Sequence, residues 1–229
     1  MKIAVFGTGV VGQTLAEKLA SLRHDVTMGT RNVKEALSRM EKDHFGRPSF
    51  NDWHTKNPGI RLATFEDAAA SGEFIVNATS GTGTLPALGQ AGKENLSGKV
   101  LLDISNPLDF SKGMPPTLSV CNTDSLAEQI QRAYPALKVV KSLNTVTAAI
   151  MVNPALLPGD HHIFMNGNDG EAKARVKEVL QSFGWKEKNI IDMGDITTAR
   201  GTEQLLPLWV RLMGLLKTPM FSFKVVTAG

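Results

Sequence analysis

The sequence predicts an α/β fold built on a doubly wound, parallel sheet. Three observations carry the prediction. Short apolar strands alternate with helical stretches along the chain, which is the pattern of a parallel sheet covered on both faces. A glycine-rich turn separates the first strand from the first helix. No internal repeat, low-complexity tract or linker able to divide the 229 residues into separate domains is visible.

Taken in order, Lys2–Phe6 is short and apolar, residues 11–22 have helical periodicity, and residues 25–28 form a second strand, which together make a βαβ unit. Residues 32–42 are expected to be helical. The turn-rich stretch from Phe45-Gly46-Arg47-Pro48 to Asn57-Pro58-Gly59 is expected to be an irregular excursion carrying Trp53. Strands follow at residues 60–63, 74–78, 100–104 and 138–143, separated by helices at Phe65–Ser71, 85–91 and 125–134. Beyond Asn144 the sequence predicts an edge strand at 162–165, a helix at 171–183, a short strand at 190–193, a long apolar helix over about 198–216 and an extended tail from Met220 to Val226.

Composition narrows the classes. Hydrophobic residues make up 42% and charged residues 21%, as in an ordinary globular chain, and no apolar run approaches the roughly 20 residues of a membrane span. The amino terminus runs into a strand without the features of an export signal, and Cys121, the single cysteine, has no partner for a disulfide. A cytoplasmic protein with no membrane partner is expected. The 25 basic residues are interleaved with 22 acidic ones, so the net charge of +3 gives no basic patch and no nucleic-acid partner is expected. Modest positive charge still attracts a polyanionic ligand.

Such a ligand is specified by Gly7-Thr8-Gly9-Val10-Val11-Gly12, a G-x-G-x-x-G turn directly after a strand and opening a helix. Gly7 permits the tight turn, Gly9 clears the path of a pyrophosphate, and Gly12 lets helix and strand approach closely. The helix N-terminus offers amides and a positive dipole end to the phosphates. The fold is therefore a Rossmann-type doubly wound sheet, with additional C-terminal strand and helix elements packed on the same domain. Residues 1–147 are expected to form the dinucleotide-binding core, and 148–229 an extension completing a second cleft.

The second strand ends Met28-Gly29-Thr30-Arg31-Asn32, where proteins that read a free ribose carry an acid. Thr30 supplies a hydroxyl and Arg31 a permanent planar cation suited to a 2′-phosphate, so the cofactor is expected to be NADP(H). Lys34 is a further candidate for the same phosphate.

These motifs, with Asp103-Ile104-Ser105-Asn106-Pro107 and Lys141-Ser142-Leu143-Asn144-Thr145-Val146-Thr147-Ala148, resemble the coenzyme F420-dependent NADP oxidoreductases, whose fold also forms the reductase domain of the STEAP metalloreductases. The resemblance spans nearly the whole chain. It implies hydride transfer between NADPH and a 5-deazaflavin or flavin stacked on it at the carboxyl ends of the strands. It also implies that Asn77-Ala78-Thr79 lines the adenine or ribose side, while Asn106-Pro107 and Asn144-Thr145-Val146 lie near the nicotinamide. Asn106, Asn144 and Thr145 are then candidates for positioning the rings, with no protein-derived acid or base essential to the step. Asn144 stands where archaeal members carry histidine, and the stretch over 45–58 is an addition.

Other constellations are weaker. Lys141-x-x-Asn144 has the spacing of the pair used by β-hydroxyacid dehydrogenases, but here it straddles a strand end, and a strand lysine beside a loop hydrogen-bonder is the better reading. His161 and His162 are adjacent in a strand and point to opposite faces, so no metal is expected. His24, His44 and His54 are expected at the surface or in loops, and Asp195 to cap the last helix. That helix is expected to be buried with a role in a homodimer. The reading is an NADP(H)-dependent oxidoreductase with a small-molecule redox acceptor. Reduction of a small carbonyl compound, non-catalytic sensing of NADP(H), and electron delivery to a separate metal or flavin protein are the alternatives.

Overall fold

The computed structural model describes residues 1–42 and 46–228, so the expectations for His44 and for the Phe45 end of the excursion lie outside the described residues. The chain runs β1 (Lys2–Phe6), α1 (Val10–Ser21), β2 (Asp25–Thr30), α2 (Val33–Leu37), α3 (Phe50–Lys56), β3 (Arg61–Thr64), α4 (Phe65–Ser71), β4 (Phe74–Asn77), α5 (Gly81–Ala91), α6 (Lys93–Leu96) and β5 (Val100–Asp103). A small antiparallel hairpin, β6 (Leu108–Asp109) with β7 (Thr117–Leu118), comes next. Then follow α7 (Leu126–Ala133), β8 (Lys138–Ser142), α8 (Ala148–Val152), β9 (Ile163–Gly167), α9 (Gly170–Ser182), β10 (Ile190–Asp192), α10 (Ala199–Gln204) and α11 (Leu206–Leu216).

Among the described residues the main sheet has the order β10-β9-β8-β5-β4-β1-β2-β3. The six strands from β8 to β3 are parallel. Because the chain builds outward from β1 through β2 and β3, then returns to β4 on the other side, the carboxyl ends of β1 and β4 part into a crevice. In β1, Ile3 and Val5 enter one apolar cluster with Leu15, Leu19 and Met28, while Ala4 and Phe6 enter another with Phe65, Ile75 and Leu101. That alternation is the strand period of two, and it covers both faces of the sheet with helices.

The structure departs from expectation at five places. Helix α2 ends at Leu37, and its first turn is held by Asn32, whose side chain accepts from Glu35 N at 3.1 Å. The excursion contains α3: the Ser49 hydroxyl accepts from Asp52 N at 3.1 Å, and Phe50 and Trp53 turn inward. Trp53 Nε1 donates to Glu17 of α1. A cap and an i, i+3 apolar pair thus outweigh the flanking turn residues. β9 is not an edge strand; it lies between β8 and β10, antiparallel to the first and parallel to the second.

The long terminal helix is broken at Leu205. Pro207, second residue of α11, has no N–H with which to continue the preceding turn and instead starts a new helix. Nor is α11 buried: only Leu206 and Val210 are, and Leu208, Leu215 and Leu216 are exposed, Leu215 at 77%. The extended tail is present, with His162 N donating to Phe223 O at 2.8 Å and Val225 N donating to His162 Nδ1 at 3.1 Å. Asp195 caps the short turn before α10, accepting from Thr197 N at 2.9 Å. No helix among the described residues is long and apolar enough to cross a membrane.

Candidate functional site

The crevice is shaped by its glycines. Gly7 has φ +107°, and a Cβ there would come within 2.6 Å of Ala78 O. A Cβ on Gly12 would come within 2.0 Å of Gly7 O, so α1 can rest on the turn only without it. A Cβ on Gly9 would meet nothing within 4 Å. Gly9 is therefore free of protein on the side where a phosphate would approach, and no side chain caps the first amides of α1. The turn fits a pyrophosphate on these grounds.

A cavity of about 480 Å³ opens in front of the turn. Gly7, Thr8, Gly9, Thr30, Arg31, Ala78 and Thr79 all line it, as do Asn32, Glu35, Arg39, Ser80 and Thr82. Arg31 has no hydrogen-bond or ion-pair partner among the described residues. Lys34 is exposed on α2 and does not line this cavity. Val10 borders a neighbouring depression with Phe50 and Trp53. A second cavity, of about 230 Å³, shares Ala78, Thr79, Ser80 and Thr82 with the first and continues past Val11 to Ser105, Asn106, Leu108 and Phe110.

The remaining residues singled out in the sequence stand behind these walls. Pro107, Thr145 and Val146 are buried. Asn77 is fully buried, and its Nδ2 donates to Asp103 Oδ1 at 2.7 Å while its Oδ1 accepts from the Thr79 hydroxyl at 2.7 Å. Asn144 Nδ2 donates to Asn106 Oδ1 at 2.9 Å and to Thr202 O at 3.1 Å, and Asn106 Nδ2 returns a bond to Asn144 O at 3.0 Å. Leu143, at φ +62°, makes the sharp left-handed turn out of β8 that brings Asn144 round to face Asn106. Of the predicted ring-positioning set, Asn106 reaches a cavity wall, and Asn144 supports it from behind.

Sequence reasoning missed two features. One is Arg39. The other is a buried charge cluster beneath the crevice: Lys141 Nζ lies 2.8 Å from Asp103 and 2.8 Å from Glu203, and all three side chains are excluded from water. Asp103 and Lys141 are register partners on β5 and β8. Glu203 also accepts from the amides of Leu126 and Ala127 at the start of α7, and Asp103 from the Ser105 hydroxyl, which compensates the second carboxylate. Burial pulls the Lys141 ammonium toward a lower pKa, but Asp103 and Glu203 outweigh it, and the net shift is upward. The legible signal was an ionisable residue in each of two adjacent apolar strands, which must find a partner when the sheet is covered.

A Rossmann crevice whose second strand ends at Thr30 and is followed by Arg31 rather than by an acid defines a dinucleotide-binding protein suited to NADP. A family model described as NADP oxidoreductase, coenzyme F420-dependent, matches residues 2–107. A solved structure of a candidate F420-dependent NADP reductase from Arthrobacter sp. FB24 is 54% identical, covering 99% of this chain and 100% of that one with a TM-score of 0.94. The chain belongs to the coenzyme F420-dependent NADP oxidoreductase family.

More distant likenesses agree. The F420-dependent NADP reductase of Methanothermobacter marburgensis is 26% identical over 216 residues, covering 93% of this chain and 92% of that protein. Metalloreductase STEAP3 of Rattus norvegicus is also 26% identical over 216 residues, but the match spans only 38% of that protein's length. An imine reductase from Streptomyces aurantiacus, 18% identical with a TM-score of 0.63, shares the fold over 95% of this chain and 64% of its own.

Proposed function

We propose that this protein transfers hydride between NADPH and a deazaflavin, coenzyme F420, or a flavin-type acceptor. The observation that carries the reading is the pair of adjoining cavities. The first has arginine at its adenosine end and glycine at its pyrophosphate end; the second, at the expected nicotinamide end, is lined by no ionisable side chain among the described residues. A carbonyl reductase needs a proton donor beside the carbonyl, whereas a ring acceptor can take its proton from solvent. When bound, the nicotinamide supplies the hydride. The chain's own residues hold, orient and exclude water. Asn106 lines the second cavity, and its amide is held in place by the reciprocal bonds with Asn144.

On this reading residues 1–229 form one domain, in which 148–229 complete the acceptor side: Thr202 anchors Asn144, and Glu203 ties α10 beneath the crevice. The protein works as a cytoplasmic homodimer, with the exposed leucines of α11 supplying the contact. Light scattering at micromolar concentration checks the dimer; a monomer unchanged by NADPH removes it.

The test of the reaction is anaerobic mixing of NADPH with F420, FMN, FAD and a set of small carbonyl compounds, followed at the nicotinamide and acceptor absorbance bands. Reduction of F420 or a flavin is expected, slowed by deuterium at the transferred position of NADPH. Turnover with a carbonyl compound alone would assign a conventional dehydrogenase. Tight NADPH binding without any turnover would assign a sensor.

A further inference from the structure

We infer that Arg39 is a second determinant of cofactor choice, a cation held over the adenosine end of the crevice by the added segment that carries α3. The inference rests on the NADP(H) reading of the pocket and extends it to a residue eight positions beyond Arg31, outside every motif in the sequence. Three contacts fix Arg39, and a fourth fastens the segment beside it. Its guanidinium donates to the Thr8 hydroxyl of the glycine turn at 2.6 Å. The same group lies 5.2 Å over the Phe50 ring. Its backbone carbonyl accepts from Asn51 N at 3.4 Å. Two residues back, Leu37 O accepts from Asn51 Nδ2 at 2.8 Å, so the start of α3 is fastened to the end of α2.

Each contact has a consequence for binding. Arg39 and Arg31 line the same cavity, Arg31 at the end of β2 and Arg39 beyond α2, so two permanent cations face the space next to Thr30 and Thr8. A 2′-phosphate carries the charge and the acceptor oxygens that two guanidinium forks can share. A free ribose hydroxyl offers neither. Phe50 is buried and stacked on Trp53, which makes it a rigid platform rather than a mobile contact. An exposed arginine loses rotamer freedom when it clamps a ligand, and the Phe50 face and the Thr8 hydroxyl remove part of that freedom beforehand. The segment over 46–58 is thus part of the specificity apparatus and not a surface ornament.

The experiment is calorimetric titration of NADPH and NADH into the wild-type chain, Arg39→Ala, Arg39→Lys and Phe50→Leu, with thermal unfolding of each variant as a folding control. Arg39→Ala is expected to weaken NADPH about tenfold or more while changing NADH less than about twofold. Arg39→Lys should recover only part of the loss, because the fork is gone while the charge remains. Phe50→Leu should weaken NADPH by roughly threefold, with Arg39 intact. Equal losses for both nucleotides in Arg39→Ala would place the cation on the pyrophosphate and overturn the inference, as would no loss for either. A wild-type chain that binds NADH as tightly as NADPH overturns the cofactor reading itself, which separates the two failures.

Discussion

Lys141 Nζ stands 2.8 Å from the Glu203 carboxylate, joining a strand of the nucleotide-binding core to a short helix some sixty positions later, with both side chains closed to water. A buried ion pair of this kind is poor evidence for net stability, but breaking it is costly because the orphaned charge stays buried. Lys141→Met leaves Asp103 and Glu203 facing each other without their cation. It is expected to destabilise the fold by about 3–5 kcal/mol, read as a lower urea midpoint. Glu203→Gln, which keeps shape and leaves the Lys141–Asp103 pair, should cost clearly less. Equal losses would mean that Asp103 does not hold the ammonium by itself.

The glycine turn separates folding from binding. Gly12→Ala puts a methyl group 2.0 Å from a backbone oxygen and is expected to lower both the unfolding temperature and NADPH affinity. Gly9→Ala meets no protein atom within 4 Å and should leave the unfolding temperature nearly unchanged while NADPH affinity falls about tenfold or more. Parallel loss of stability in the two variants would remove Gly9 from the phosphate path.

Arg31→Ala should weaken NADPH by about tenfold or more and leave NADH nearly unchanged, since charge-assisted bonds to a 2′-phosphate exist only for the phosphorylated nucleotide. Titration of both nucleotides decides it. If Arg31 and Arg39 share one phosphate, the double variant should lose less than the product of the two single losses, because such neighbours couple.

Acid sensitivity has a local source. The hydrogen bond from Arg132 holds Asp124 down at about 2, and the bond from Arg200 holds the Glu128 carboxyl below its ordinary value. Both acids bind protons more readily in the unfolded chain than in the folded one. The stability they contribute is full above the ordinary carboxylate values of 3.8 and 4.5, and it is lost as the pH falls below them, toward about 2 in the case of Asp124. Urea midpoints at pH 6, 4 and 3 should decline, and Asp124→Asn should flatten the acid end of the curve. An unchanged slope in that variant would assign the acid sensitivity to other carboxylates.

The parallel half of the sheet and the glycine turn were legible because their signals are local: Gly7, Gly9 and Gly12 follow an apolar strand directly, and Thr30-Arg31 closes the next one. Pairings across long sequence separations were not. Nothing near Lys141 marks Glu203 as its partner, and nothing near Arg31 marks Arg39, whose place depends on a helix that turn residues hide on both sides. The direction of β9 was equally silent, since a strand reads the same whether it runs with its neighbour or against it. Pro207 is a local signal for a helix start that the expectation of one long helix over 198–216 passed over, and the apolar run around it pointed to burial, whereas the fold leaves much of α11 on the surface.

The charged cluster also governs how the crevice can open. From Thr79 at the cavity wall, bonds run through Asn77 to Asp103, from there to Lys141, and on through Glu203 to the amides that start α7. Lifting α10 alone would strand an ammonium and a carboxylate in a space without water, so the segment has no inexpensive partial excursion. Opening of this side of the crevice is therefore expected to be a concerted event, with α7, α10 and the end of β8 exchanging their amide hydrogens at one common rate and the exposed turns of α11 exchanging faster.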